Sequence, residues 1–363
     1  MKDKRTFLYL LILSTIFIWM MAFLASAETK IGTRAKASSL YSADTKTFIY
    51  QSNSDVRLPM ASTTKIVTAL ISIEELDPEA VVTVPKEAVG IEGSSLYLQE
   101  NDRLTVKDLI YSVLLQSAND AATVLALEVS GSIEGFALHM TDRVRSIGAF
   151  DTVFQNPHGL DCEDHYTTAH DLALIAAEAL SNETFKKISS TYKYSFKIGD
   201  DVRTVVNHNK LLKAYDGCIG VKTGYTKRSG RCLVSAAQKD GITLIAVTLN
   251  DPDDWSDHKR MLDCGFEKLE SVDLNDLIDI PDHIPTISSD YAQIKLVPSK
   301  SRIIKYKTEK ITYSLDIPGY YAKDVSIGDK IGSLTLNLGD RVEVIDILAG
   351  NSVKIKKTAR RIL

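Results

Sequence analysis

Ser62 and Lys65 lie three residues apart in the stretch RLPMASTTKIVTAL, which covers residues 57–70. The apolar spacing of this stretch is typical of a helix, on which residues three apart project from the same face. A lysine amine held beside a serine hydroxyl can take the hydroxyl proton and make the serine a nucleophile. The same two residues also fit an ordinary polar pair on a solvated helix face. Further motifs in the chain are needed to distinguish between these two interpretations.

The S-x-x-K pattern also occurs at Ser190 and Lys193. The surrounding residues, ISSTYKYSFKIG, predict a β-strand, in which residues three apart point to opposite faces of a sheet. We therefore expect Ser190 to be an ordinary surface residue. Ser62 differs because it opens a predicted helix, follows Pro59 and lies in an uncharged patch.

Two further motifs follow in the chain. Ser117 and Asn119 fit S-x-N between two predicted helices, and residues 222–224 fit K-T-G in a β-prone run. A single short motif occurs by chance, but three in this order, each on a suitable element, indicate one common site. In such a site Ser117 can relay a proton to a leaving amine, and the Asn119 amide can orient a lysine or a substrate backbone.

The residue types explain how a serine can be activated without a histidine triad. Burial and a second cation such as Lys222 would favour the neutral form of Lys65, which could then act as a base. The helix N-terminus at Ser62 offers N–H groups and a positive dipole end to a developing oxyanion. Lys222 and Thr223 can hold a substrate carboxylate, and Gly224 lets the substrate lie close to the strand.

Periodicity predicts the elements that position these motifs. Residues 36–52 alternate around a turn at 43–46 and predict a β-hairpin. Helical patterns follow, and β-rich patterns return from residue 218. We therefore expect the two terminal groups of strands to meet in one antiparallel sheet with helices packed on it. The helices after the one at Ser62 are predicted at 104–117, 119–131, 167–180 and 255–269.

The chain of 363 residues divides into three predicted segments. Residues 1–27 have a basic start, an apolar run and an A-x-A ending, which are typical of a secretory signal peptide. The run is also nearly long enough to stay uncleaved as a membrane anchor, and either alternative sends the rest of the chain across the membrane. Residues 28–272 are predicted to form the catalytic domain. Residues 283–357 alternate apolar and polar side chains, as a small all-β domain does.

Charge and composition argue against several classes of function. The net charge of −4 and the pI near 6.0 give no electrostatic reason to expect nucleic acid as a partner. Glycine loops of the nucleotide-binding type are absent from the sequence. The histidines and the four cysteines lack metal-site spacing, so we expect no metal and no cofactor. Free thiols are favoured over a Cys218–Cys232 disulfide.

The three motifs form the set found in penicillin-binding proteins and β-lactamases. The chain resembles the low-molecular-weight penicillin-binding proteins that are D-alanyl-D-alanine carboxypeptidases. Residues 93–122, 156–176 and 207–237 resemble the family's segments around S-x-N, H-G-L-D and K-T-G, and the likeness covers most of residues 30–270. The resemblance implies an α/β (α+β) fold of the β-lactamase/transpeptidase type, with a central antiparallel sheet flanked by helices and a small all-β C-terminal domain.

The resemblance also implies an activity. Such an enzyme removes the terminal D-alanine from peptidoglycan stem pentapeptides through a serine acyl-enzyme, outside the cytoplasm, in the cell wall or at the outer face of the membrane. β-Lactams would mimic the D-Ala-D-Ala end and trap Ser62. Matching the motifs implies Ser62 as nucleophile, Lys65 as base, Ser117 and Asn119 as the second element, Lys222, Thr223, Gly224 and Tyr225 as substrate binders, the N–H groups of Ser62 and Tyr225 as oxyanion hole, and His158 and Asp161 as residues that shape the neighbouring loop.

The chain departs from the family at two places. Tyr225 stands where many relatives have a histidine. The basic end, residues 354–361, is too short for the amphipathic membrane helix of many members, so it is either a weak contact to a membrane surface or a solvated tail.

Three alternative functions share parts of this pattern. A D,D-endopeptidase would use the same site. A class A β-lactamase would add a glutamate that activates the deacylating water, but Glu178 continues a predicted helix and is expected to be solvated. A non-catalytic penicillin receptor would need a further membrane span, and the sequence has no second apolar stretch of 18 residues.

Overall fold

The computed structural model describes residues 31–287 and 291–355. The predicted signal peptide, residues 1–27, and the greater part of the basic end, residues 356–361, lie outside the described residues. Residues from Arg34 onward form one unit, which contains all the elements named below.

The strands of the described chain are β1 (Ala37–Ser42), β2 (Thr47–Ser52), β3 (Val81–Thr83), β4 (Arg103–Thr105), β5 (Lys193–Ile198), β6 (Asp201–Val206), β7 (Cys218–Thr226), β8 (Gly230–Lys239), β9 (Ile242–Leu249), β10 (Leu269–Asp273), β11 (His283–Pro285), β12 (Gln293–Pro298), β13 (Arg302–Tyr306), β14 (Ile311–Asp316), β15 (Lys330–Leu338) and β16 (Arg341–Ala349). The helices are α1 (Lys65–Glu75), α2 (Val106–Tyr111), α3 (Asn119–Ser130), α4 (Ile133–Ser146), α5 (Ala169–Ser181), α6 (Glu183–Ser189), α7 (Leu211–Ala214), α8 (Asp254–Lys268) and α9 (Leu274–Leu277).

A five-stranded antiparallel sheet forms the centre of the larger part of the protein. Its order, β2-β1-β9-β8-β7, places the two terminal groups of strands side by side, as the sequence predicts. Helices cover both faces of this sheet. Neighbouring residues of a strand point to opposite faces, and in β1 they contact two different helices. Ser39 donates to the carbonyl of Ala169 at the start of α5, whereas the Leu40 side chain faces Gly265 of α8. β7 forms one edge of the sheet.

Helix α1 lies in the hydrophobic core and is buried from residue 65 to residue 72. Its polar side chains are paired, as buried polar groups must be. Thr68 donates to the carbonyl of Pro157 at 2.6 Å, and Ser72 donates to the carbonyl of Thr68 at 2.8 Å. Lys65 therefore begins the helix inside the protein, where an ammonium group is costly to hold.

The predicted helix at 104–117 is only partly present. Thr105 caps α2 by accepting from the N–H of Asp108 at 3.1 Å, but α2 has six residues and then passes into a π-helical turn, Ser112–Gln116. Ser117 follows in a left-handed conformation, with a φ of 63°. The other predicted helices are confirmed as α3, α5 and α8.

The described residues between 283 and 355 form the small all-β part that the sequence predicts. Strands β11, β12, β16, β15 and β14 pair in this order into a second sheet. Leu334, Leu336 and Ile345 belong to a hydrophobic cluster that contains no residue of the first core. We propose that residues 28–272 and 283–357 are separate domains, because each part has a hydrophobic core of its own.

Contacts along β10 and at β2 join the all-β part to the larger part. β10, which follows α8 directly, pairs with β13 over residues 269–273 and 302–306. The hydroxyl of Tyr306 lies 3.1 Å from that of Thr47 on β2. In the part of the chain that the structure describes, no single helix is long and apolar enough to cross a membrane. The pair α3 and α4 passes a test of length and composition only when taken together, with a bend of 83°.

Candidate active site

Ser62 lies in a 3-10 turn, Ala61–Thr64, that leads directly into α1. Ala61 has a φ of 47°, which is uncommon for a residue with a side chain. Its carbonyl accepts from the Thr64 hydroxyl at 2.8 Å and lies against Gly159, where a Cβ atom would come within 1.9 Å of it. The turn that carries Ser62 is thus held by its own hydrogen bond between Thr64 and Ala61, and by the packing of Gly159 from the H-G-L-D loop, residues 158–161.

Lys65 is fully buried, and its Nζ atom has three oxygen neighbours. They are Ser62 Oγ at 3.1 Å, Asn119 Oδ1 at 2.6 Å and the carbonyl of His158 at 2.5 Å. Burial and the nearby Lys222 lower the pKa of Lys65 well below its usual value. A neutral amine has two hydrogens for the two carbonyl oxygens, which can only accept. Its lone pair is then left for the Ser62 hydroxyl, as a general base requires.

The S-x-N motif lies opposite this amine at the corner between the π-helical turn and α3. Ser117 is nearly buried and lines the cleft described below. Asn119 is the first residue of α3, and its Nδ2 atom donates to the carbonyl of Glu92 at 2.6 Å. This contact distinguishes the two ends of the amide and turns Oδ1 toward Lys65.

The K-T-G motif lies on β7, beside the turn of Ser62. Lys222 is buried, its Nζ atom donates to the carbonyl of Thr223 at 2.9 Å, and burial lowers its pKa to about 7. A Cβ atom at Gly224 would lie 3.0 Å from the backbone nitrogen of Ser62, so a glycine is needed where the strand meets the turn. Tyr225 follows with 66% of its surface exposed. The structure therefore brings all eight predicted site residues together.

A cleft of about 490 Å³ runs along this group. Ser62, Ser117, Thr223, Gly224 and Tyr225 line it. No motif in the sequence predicted its other lining residues, which are Ser94, His208, Lys210, Arg231, Cys232, Asp254 and Trp255. Register along the β7–β8 hairpin could have found two of them, because Arg231 pairs with Tyr225 and Cys232 pairs with Gly224.

The missed residues add charge to one side of the cleft. Arg231 forms an ion pair with Asp254, with 2.7 Å between Nη2 and Oδ1. The guanidinium group also lies 5.8 Å from the ring centre of Trp255, and the Lys210 ammonium lies 6.0 Å from it. These residues come from three separate segments of the chain, so no short motif connects them.

The H-G-L-D loop shapes the site as the resemblance implies. Its His158 carbonyl accepts from Lys65, while burial lowers the pKa of the His158 ring to about 3 and leaves the ring neutral. Asp161 accepts from the hydroxyl of Thr226 at 2.9 Å and so connects the loop to the end of β7.

Two other sequence predictions concern residues away from the cleft. Ser190 is exposed, as expected. The predicted strand is present only from Lys193 to Ile198, as β5, and its predicted start was wrong because Ser190 is the C-cap of α6. Glu178 lies on α5 and forms an ion pair with Arg143, 2.7 Å apart. It is therefore a structural helix residue.

All four cysteines lie within the described residues. Cys162, Cys218 and Cys232 are free thiols, as predicted. On the β7–β8 hairpin Cys218 lies opposite Ala237, whereas Cys232 lies opposite Gly224. The two thiols are therefore several residue pairs apart along the hairpin, which is too far for a disulfide. Over residues 31–287 and 291–355, no group of three or more His, Cys, Asp or Glu side chains is arranged to hold a metal ion.

Comparison with known proteins agrees with this geometry. Residues 24–253 match the family model described as D-alanyl-D-alanine carboxypeptidase. The chain is 34% identical over 279 residues to D-alanyl-D-alanine carboxypeptidase DacF of Bacillus subtilis, covering 72% of each chain. It is 32% identical over 263 residues to the D-alanyl-D-alanine carboxypeptidase of Streptomyces sp. K15, covering 67% of this chain and 90% of the relative.

Solved structures show the same fold. The Streptomyces K15 DD-transpeptidase is 31% identical, with a TM-score of 0.62 over 65% of this chain and 98% of that one. The carboxypeptidase DacD of Francisella tularensis covers 90% of this chain and 95% of that one with a TM-score of 0.65, although it is only 24% identical. Because the family model spans more than half of the chain and includes all three motifs, the protein belongs to the D-alanyl-D-alanine carboxypeptidase family of serine-type peptidases.

Proposed function

We propose that this protein removes the terminal D-alanine from peptidoglycan stem pentapeptides through an acyl-enzyme on Ser62. The observation that carries the proposal is the position of Lys65, a buried amine between Ser62 Oγ and two carbonyl oxygens. A peptide hydrolase of this type needs a nucleophile, a base, an oxyanion site and a place for the substrate carboxylate. Each of these has a candidate in the cleft.

In the acylation step, Ser62 Oγ adds to the carbonyl carbon of the penultimate D-alanine while the amine of Lys65 takes the hydroxyl proton. The N–H groups of Ser62 and Tyr225 stabilise the oxyanion. The C–N bond then breaks, and the proton that Lys65 took from Ser62 passes through the Ser117 hydroxyl to the leaving amine of D-alanine, which returns Lys65 to its neutral form. The products are the Ser62 ester and free D-alanine.

In the deacylation step, water adds to the ester carbonyl and gives up its proton to Lys65. The ester C–O bond breaks, and Ser62 regains its hydroxyl proton from Lys65, which returns to the neutral amine. The shortened peptide leaves as a carboxylic acid, which releases its proton to the solvent and becomes a carboxylate. Lys65 and Ser62 are the two protein groups that this step requires to transfer a proton.

Substrate binding is proposed to use β7 as a template. Lys222 and Thr223 attract the terminal carboxylate, and the bare backbone at Gly224 lets a peptide lie along the strand. β-Lactams would enter by the same contacts and acylate Ser62. Since peptidoglycan lies outside the cytoplasm, the proposed place of action is the cell wall or the outer face of the membrane.

The experiment is to incubate the purified protein with a peptide that ends in D-Ala-D-Ala and to measure released D-alanine. We expect release by the wild type, none by Ser62→Ala, and a wild-type rate for Ser190→Ala, which changes the other S-x-x-K serine. Release that persists in Ser62→Ala would overturn the mechanism. Cleavage of cross-linked dimers with no release from the pentapeptide would identify an endopeptidase.

A further inference from the structure

Asp120, which follows the S-x-N motif, has a buried carboxylate that the proposed reaction does not use. One oxygen accepts from the Ser95 hydroxyl at 2.6 Å and from the N–H groups of Leu96 and Leu98, both at 3.0 Å. The other oxygen accepts from the N–H of Ala121 at 2.9 Å, in the first turn of α3. A single carboxylate therefore ties a loop to the start of this helix.

The same loop holds the amide of Asn119. The carbonyl of Glu92 accepts from Nδ2, and the carbonyl of Ser94 accepts from the backbone N–H of Asn119 at 2.7 Å. Gly93 lies so close that a Cβ atom there would come within 2.9 Å of Nδ2. Together these contacts leave the amide one orientation, with Oδ1 pointing at Lys65.

We propose that Asp120 is a positioning residue for the base: it fixes residues 92–98, which hold Asn119 against Lys65, and it places a negative charge behind that contact. The role rests on the proposed function, in which Lys65 is the base. Loss of the carboxylate would leave several buried N–H and O–H donors to find other acceptors. The loop would then shift, and the Asn119 amide would lose its fixed orientation.

The charge of Asp120 has a separate consequence. It raises the pKa of Lys65, in opposition to burial and to Lys222, which lower it. The other titratable groups that face the amine are His158 and His165, whose pKa values burial lowers to about 3 and about 4. Both rings are therefore neutral above pH 6. Removing the charge at position 120 moves the pKa of Lys65 downward, a change that a loop displacement does not predict.

Two substitutions separate position from charge. Asp120→Asn keeps one oxygen that can accept from Ser95, Leu96 and Leu98 but removes the charge and the acceptor for the N–H of Ala121, whereas Asp120→Ala removes both oxygens and the charge. The measurement is the acylation rate constant with a fluorescent penicillin between pH 5 and pH 10. We expect Asp120→Ala to lower the rate constant on its plateau by about tenfold or more, since small displacements of reacting groups have effects of this size. We expect Asp120→Asn to move the acid limb of the profile to lower pH.

Ser95→Ala is the matched control, because it removes one contact to the carboxylate and keeps the charge. Its acid limb should stay at the wild-type position. A wild type that penicillin does not acylate would overturn the proposed function itself. A normally acylated wild type would overturn the role of Asp120 if Asp120→Ala matched its rate constant. If Asp120→Ala does not fold, an unshifted acid limb in Asp120→Asn overturns the role.

Discussion

The two S-x-x-K segments contain the same residues at the same spacing and differ in their surroundings. Lys65 is buried, and two carbonyl oxygens from distant segments occupy its hydrogens. Ser190 is exposed at the end of α6, where its hydroxyl donates to the carbonyl of Lys187, and Lys193 is an exposed residue of β5. A motif thus becomes a reactive pair only where the fold removes water from the amine and restricts its partners.

The largest expected difference between the two segments comes from removing each lysine. Lys65→Ala should lower the rate of acylation by penicillin by roughly 10²–10⁴-fold, because it removes the general base. Lys193→Ala should leave the rate unchanged. Stopped-flow fluorescence with a labelled penicillin measures both. Equal rates for the two variants would end the distinction that we draw between the segments.

The support of the Ser62 turn can be tested through two glycines with left-handed backbones. Gly159→Ala would place a Cβ atom within 1.9 Å of the Ala61 carbonyl, so we expect it to reduce acylation and to destabilise the fold by about 2–4 kcal/mol. Gly148→Ala meets nothing within 4 Å and should cost only about 1–2 kcal/mol of backbone strain, with normal acylation. Urea denaturation gives both free energies of unfolding. An equal loss of unfolding free energy in the two variants would show that Gly159 does not pack against the turn of Ser62.

Burial of cations predicts how stability depends on pH. Because the folded-state pKa of Lys222 is about 7 and its ordinary value is 10.5, the unfolded chain binds more protons between these values. Below pH 7 the buried ammonium group lowers the free energy of unfolding by its full amount. From pH 7 to pH 10.5 the free energy of unfolding rises, with a slope of about 1.4 kcal/mol per pH unit at most. Lys222→Met should flatten this rise. An equal slope in wild type and variant, measured by urea denaturation, would contradict the burial of this charge.

The smallest expected effect concerns Glu178. Glu178→Ala removes an ion pair with Arg143 near the surface, which is worth less than about 1 kcal/mol. The rate of deacylation of the penicillin adduct should not change, since Glu178 does not line the cleft. A slower deacylation would revive the β-lactamase interpretation. Lys193→Ala serves again as the neutral surface control.

Local patterns predicted much of the fold and the motif residues. The hairpin at 36–52, the helix at 119–131 and the return to strands at residue 218 depend on neighbours in sequence, and the structure contains all three. The π-helical turn before Ser117 was missed, because a helical pattern does not show where the hydrogen-bond spacing changes from four to five residues.

The supporting contacts of the site could not be predicted from the sequence. The carbonyls of Glu92 and His158, which orient Asn119 and Lys65, are backbone groups present in every residue. The ion pair of Arg231 and Asp254 joins a strand to a helix that only the sheet brings together. Such contacts depend on tertiary packing, so residue type and spacing say nothing about them.

The most direct test of the central claim is peptide mapping by mass spectrometry after incubation with penicillin. We expect an adduct with the mass of the intact penicillin on Ser62 in wild-type protein, no adduct in Ser62→Ala, and an unchanged adduct in Ser190→Ala. An adduct on any other residue, or labelling that persists in Ser62→Ala, would contradict the claim that the amine of Lys65 makes this serine the nucleophile.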